Sequence, residues 1–288
     1  MPVPDRYLEV AGARLRYRDT GSGPAVVLVH GWTLDLEMWT PLVARLSDQF
    51  RLVRLDRRGH GLSSGVPGPE QDVADLAILC RSLELHSIAV VGMSQGTRSA
   101  LAFADRSPDT VRALVLDGTP DLQPGAPQSD IPLDHFRMLL RTQGIAAFRR
   151  EWRAQAAMQL QTPDRAMHEL LRGMLERYDG RDLRDAVHAG ASLTQRGSLR
   201  RITAPVLILN GEFDLDTRSS AADYLCRELP QAERQLIARA GHLPNLDNPD
   251  DYAALCRSFL SRQLLGSAWR RSFENLELGS CVDPPQRP

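Results

Sequence analysis

Lysine is missing altogether: all 35 basic residues of this 288-residue chain are arginine. That removes several mechanisms at once, among them the P-loop lysine, the Schiff-base lysine of pyridoxal phosphate or aldol chemistry, and the protein-kinase lysine. An excess of positive charge is missing too. The 35 arginines face 36 Asp and Glu, a net charge of −1, so neither nucleic acid nor an anionic membrane is expected as a partner. No apolar run approaches the ~18 residues that a bilayer span requires. The opening stretch MPVPDRYLEV lacks the basic-then-apolar pattern of a secretory signal, so a cytoplasmic location is expected. Cysteine is scarce. Cys80, Cys226, Cys256 and Cys281 lie far apart, with no C-x-x-C and no histidine spacing that suits zinc. Reduced thiols and no metal site are expected.

What is present is ordinary globular composition, 42% hydrophobic and 25% charged. The length fits two domains or one large α/β domain carrying an insertion. Short apolar runs predict strands over 6–10, 14–19, 25–29, 51–56, 87–91, 111–117, 205–210 and 232–237. Helical stretches fall between them, over 39–47, 70–83, 95–106, 219–228 and 250–264. Strands alternating with helices imply right-handed crossovers and a mostly parallel sheet covered on both faces. The alternation stops between 121 and 200. There Met167, Leu170, Leu171, Met174, Leu175 and Tyr178 recur on one helical face, and Pro124, Pro127 and Pro132 punctuate the entry. We expect a core of 1–120 and 201–265, a helical cap over 121–200, and a frayed polar tail over 266–288. Within that tail Trp269, Phe273 and Leu276 sit at helical spacing, which leaves a short docked helix as the competing reading.

Gly92-Met93-Ser94-Gln95-Gly96 matches G-x-S-x-G. The pentapeptide alone is weak, but this one follows an apolar strand directly and precedes a helix. A serine forced into a tight strand-to-helix turn needs small residues on either side, and the turn lifts its hydroxyl above the sheet. Such a hydroxyl needs a base, and the base an orienting acid, in the chain order Ser, acid, His. Of the four histidines after Ser94, His135, His168 and His188 lie in the insertion, and only His242 follows the last strand. Asp214 lies just past the strand at 205–210. Asp117 and Asp121, at the end of the preceding strand, are the alternatives for the acid. His30 and His60, beside glycines, read as loop-holding residues, and Asp247 as a structural carboxylate. The segment 59–64 is a broken dinucleotide fingerprint, and no nicotinamide or other cofactor is expected.

Together, His30-Gly31-Trp32, Asp56-Arg57-Arg58-Gly59-His60-Gly61-Leu62-Ser63, the Gly92–Gly96 elbow, Gly211-x-x-Asp214 and Gly241-His242 resemble the α/β-hydrolase superfamily. The first two are similar to cofactor-free haloperoxidase-like esterases and enol-lactone hydrolases. The resemblance implies an eight-stranded, mostly parallel sheet with helices on both faces and a helical cap. It also implies Ser94 as nucleophile, Asp214 as acid, His242 as base, and an oxyanion hole from the Trp32 and Gln95 N–H groups. Gln95 stands where the family often has Met, and Thr97 where it often has a second Gly. A methionine-rich insertion carrying Phe136 and Trp152, with Trp32 beside the nucleophile, suggests an apolar pocket lined by those three aromatics. The expected activity is hydrolysis of a small ester or lactone. Perhydrolysis or C–C bond hydrolysis by the same residues, or ligand binding without turnover, are the alternatives.

Overall fold

A computed structural model describes residues 3–123, 131–184 and 199–266. Pro124, Pro127, His188, Cys281 and the tail beyond 266 lie outside the described residues. The expected α/β architecture is the one found. Eight strands, β1 (Arg6–Val10), β2 (Ala13–Thr20), β3 (Ala25–Val29), β4 (Arg51–Leu55), β5 (Ile88–Met93), β6 (Val111–Asp117), β7 (Val206–Gly211) and β8 (Ala232–Ile237), form one sheet in the order β1-β2-β4-β3-β5-β6-β7-β8. Only the β1–β2 and β2–β4 pairings are antiparallel; from β4 to β8 every pairing is parallel.

Parallel strands covered on both faces must bury every side chain, and the uninterrupted apolar run of β3 does so. Alternate residues feed two cores. Val26, Leu28, Val91, Val115 and Leu209 face α1 (Thr40–Leu46), α9 (Pro249–Leu264) and the insertion. Val27, Val29, Val90, Leu114 and Ile208 face α2 (Pro69–Ser82), α3 (Gln95–Arg106) and α7 (Asp216–Glu228). The insertion between β6 and β7 contains α4 (Leu133–Arg153), bent where Gly144 leaves helical geometry, then α5 (Arg165–Arg177) and α6 (Arg181–Arg184). A further short helix, α8 (Pro244–Asp247), follows β8. Among the described residues no helix is long and apolar enough to cross a membrane.

Two boundaries depart from expectation for physical reasons. β5 runs on to Met93 because Gly92 and Met93 continue the ladder with Leu116 and Asp117 of β6. α7 starts at Asp216 rather than 219, with that carboxylate in the first turn, where the helix dipole favours negative charge. Parallel strands direct all their C-terminal ends to one rim, where crevices form in open α/β sheets. Ser94, Asp117, Asp214 and His242 all follow or end strands at that rim.

Candidate active site

Ser94 joins β5 to α3 with φ 48° and ψ −118°, a left-handed backbone that costs a non-glycine residue on the order of 1–3 kcal/mol. The two flanking glycines are required by contact. A Cβ on Gly96 would fall 2.4 Å from the Val29 carbonyl oxygen, and one on Gly92 would fall 2.8 Å from that of Gly96. The strained turn is held by hydrogen bonds on both sides. Ser94 N–H donates to the Asp117 carbonyl at 2.7 Å, and the Thr97 hydroxyl donates to the Ser94 carbonyl at 2.6 Å. The Gln95 side chain accepts from Arg57 Nη1 at 2.9 Å. Arg57 is itself clamped on Asp72, which also accepts from Ser99 of α3. The arginine of the 56–63 motif thus braces the elbow.

The rim loops after β7 and β8 bring His242 and Asp214 together. His242 Nδ1 lies 2.8 Å from Asp214 Oδ1, and both side chains are almost wholly buried. Leu215 N–H donates to the same carboxylate at 2.8 Å and Asn210 Nδ2 at 3.2 Å. Burial alone pushes the Asp214 carboxyl up. The adjacent His242 and these hydrogen bonds outweigh it, and hold the group below the usual carboxylate range. An ionised carboxylate only accepts, so Nδ1 carries the proton and Nε2 is left as the basic nitrogen. The His242 ring rests on Gly118, where a Cβ would fall 2.9 Å from Cε1. Gly118 follows Asp117, whose carbonyl holds Ser94, so the three side chains share one corner of the rim. The loop is fixed by Asp247, which accepts from the N–H groups of Gly241, Gln161 and Thr162.

Asp117 and Asp121 are not on the His242 ring. Asp121 caps its own loop through Gln123 N–H. Asp117 is completely buried beneath the pair, beside Tyr252 and Cys256 of α9. Burial, with the Asp214 charge adding to it, pushes the Asp117 carboxyl well above the usual range. Burial and neighbouring charge thus push the two carboxyls at one corner in opposite directions. Three other histidines have local roles. His30 Nδ1 donates to Gly31 O and Nε2 accepts from Arg57 N–H, His135 pairs with Glu151, and His168 bonds Thr162 O.

The segment after β3 passes directly over the elbow, with the Gly31 Cβ direction only 3.3 Å from Ser94 Cβ. Among the described residues neither Trp32 N–H nor Gln95 N–H has an acceptor. The Gln95 N–H is the first of a helix, with no carbonyl to receive it. The Trp32 indole points into the insertion and is 7% exposed. It packs edge-on against Trp152, Phe148 and Tyr178 at 4.8–6.1 Å between centroids. Phe136 sits deeper in that cluster, against Phe148 and Trp152, with no exposed surface. Trp152 borders a cavity of about 240 Å³ with Ile131, Ala157 and Leu215, whose polar members are Gln155, Asp216 and Thr217. That cavity adjoins the Asp214 loop and does not include Ser94, Trp32 or Phe136. Ser94 itself is 8% exposed. Tyr178, the end of the apolar helical face read from the sequence, and Asp182 also reach this region, and no local pattern in the sequence marks Asp182.

A model of the alpha/beta hydrolase family matches residues 26–255. The pimeloyl-[acyl-carrier protein] methyl ester esterase of Nitrosomonas europaea is 28% identical over 260 residues, 84% of this chain and 98% of that one. A thermophilic esterase from Thermogutta terrifontis superposes with a TM-score of 0.78 at 27% identity, covering 90% of this chain and 99% of its own. The enol-lactonase of Burkholderia xenovorans LB400 does so with a TM-score of 0.75 at 26% identity, covering 89% and 100%.

Proposed function

Because this chain belongs to the α/β-hydrolase family, and is an enzyme of that family, we propose that it cleaves small carboxylic esters or lactones through an acyl-enzyme on Ser94. The observation that carries this reading is the strained Ser94 turn sharing a corner with the 2.8 Å His242–Asp214 pair. In the proposed sequence the Ser94 hydroxyl attacks the carbonyl carbon while His242 Nε2 takes its proton. Asp214 keeps Nδ1–H in place and offsets the imidazolium charge. The oxyanion that develops meets the Trp32 and Gln95 N–H groups, each worth on the order of 10²–10³ in rate for a donor of this kind. Collapse expels the alcohol with the proton from His242, and water, activated by the same imidazole, frees the acid. No step asks for a cofactor.

Relatives that act on a methyl ester and on an enol lactone support this substrate class for the present chain. The aromatic underside of the insertion, which we read as a cap, favours a neutral apolar substrate. The test is turnover of p-nitrophenyl acyl esters together with fluorophosphonate labelling and peptide mapping. The label is expected on Ser94. Ser94→Ala should lower kcat by about 10⁴-fold or more while the protein remains folded. Full turnover by a folded Ser94→Ala protein, or stoichiometric ligand binding with no turnover in the wild type, would overturn the reading.

A further inference from the structure

The loop that carries Trp32 is tied to the insertion at three nearby residues. Trp32 Nε1 donates to Asp182 Oδ2 at 2.6 Å. Trp152 Nε1 donates to Thr33 Oγ1 at 2.8 Å, and Arg177 Nε donates to Asp35 Oδ2 at 2.7 Å. Between the first two ties the backbone is strained: Thr33, a buried β-branched residue, has φ 63°. Such a conformation persists only where the surroundings over-determine it. Of the three, the tie at Asp182 alone reaches the Trp32 side chain. The second oxygen of Asp182 accepts from Tyr178 OH at 2.6 Å, so one carboxylate joins the loop's indole to the phenol that ends α5. Both bonds are charge-assisted and lie among packed aromatic rings.

We propose that Asp182 is a positioning residue, which through the Trp32 indole holds the Trp32 backbone N–H where the oxyanion forms, and so couples seating of the insertion to a working oxyanion hole. This rests on the acyl-enzyme reading above. The acid has no route to the substrate through its own oxygens, since both face protein donors. Its effect on the reaction is transmitted through residue 32. A carboxylate suits the task because it presents two acceptors to two donors at a fixed separation. Asparagine can keep both links, accepting from the indole and donating to the phenol oxygen, whereas leucine keeps neither.

The experiment compares wild type, Asp182→Asn, Asp182→Leu and Ser94→Ala as full chains with one p-nitrophenyl ester. Rates are normalised to endpoint fluorophosphonate labelling, which counts competent serines. Asp182→Leu is expected to lower kcat about 10- to 100-fold with KM changed less than threefold, since the interaction matters most in the transition state. Asp182→Asn should recover most of the loss. In ¹H–¹⁵N spectra the indole cross-peak assigned by Trp32→Phe should move in Asp182→Leu and stay near its wild-type position in Asp182→Asn. A fall in melting temperature with kcat per labelled serine unchanged would reduce Asp182 to a packing residue and overturn the proposal. A tenfold rise in KM at constant kcat would overturn it too, by making Asp182 part of the binding wall. Failure of the underlying reading looks different: Ser94→Ala would then turn over as fast as wild type, whatever the Asp182 variants do.

Discussion

Asp117 and Asp214 lie at the same corner, yet only one is placed to act. Asp214 is held as a carboxylate by His242, Leu215 N–H and Asn210, so Asp214→Asn should cost on the order of 10⁴ in kcat through the wrong imidazole tautomer. Asp117 is buried with its pKa pushed up, which favours the neutral acid that asparagine mimics, and Asp117→Asn should keep kcat within about threefold. Its sign in stability follows from linkage. A carboxyl whose folded pKa is raised contributes most below its unfolded value near 4, and that contribution is lost as pH rises towards the folded value. Asparagine has no such dependence, so the melting temperature of Asp117→Asn relative to wild type should climb between pH 5 and pH 8. A gap that stays flat, or shrinks, would show that Asp117 is ionised in the fold. From sequence, Asp117 and Asp214 are indistinguishable in kind, each an aspartate at a strand end. Their difference comes from α9, which seals one with Tyr252 and leaves the other to the His242 loop.

At the level of elements, the turn from β5 to α3 tolerates no side chain at its glycines. Gly96→Ala puts a methyl group 2.4 Å and 2.7 Å from two backbone oxygens of the β3 end, and rigid backbone cannot yield as a flexible side chain does. We expect a drop of roughly 2–5 °C in melting temperature and loss of ester turnover, checked by calorimetry beside the rate, from an overpacking cost of about 1–3 kcal/mol. An unchanged melting temperature would mean that the elbow opens more easily than its contacts imply. The eight strands were legible because each is a short apolar or alternating run with turn residues at its ends, and the elbow because its motif sits between two of them. The insertion was legible only as helical. Its helices have one apolar face, visible in Leu171, Met174 and Leu175 of α5, but periodicity does not say what that face meets. Hence Trp32, expected to border the pocket, has its indole packed among the insertion's rings, and Phe136 lies inside the same cluster. The polar ties of Asp182, Arg177 and Asp35 join positions roughly 140–150 apart in sequence, a pairing that no local pattern encodes.

For the whole molecule, a cap role for the insertion would make it the selector of the substrates that reach Ser94. Its underside is aromatic and apolar, the adjoining cavity has Asp216 as its one charged lining residue, and Arg149 and Arg177 are engaged by Tyr178 O and Asp35. A kcat/KM series over acyl chain length, with one carboxylate-bearing ester of matched size, should favour the neutral members by tenfold or more. Preference for the anionic ester by that margin would require an arginine to face the site. The sheet order has a consequence in time as well as in space. Ser94 follows β5 near the middle of the sheet, whereas Asp214 and His242, the two groups proposed to make it reactive, follow β7 and β8, the last two strands on one side. From position 94 to position 242 the ribosome adds 148 residues, which at roughly 5–20 residues per second takes about 7–30 s. Throughout that interval the emerging chain holds the proposed nucleophile without its proposed base. On the proposed mechanism the hydrolase is silent while it is being made, and its activity begins with the docking of an outer strand.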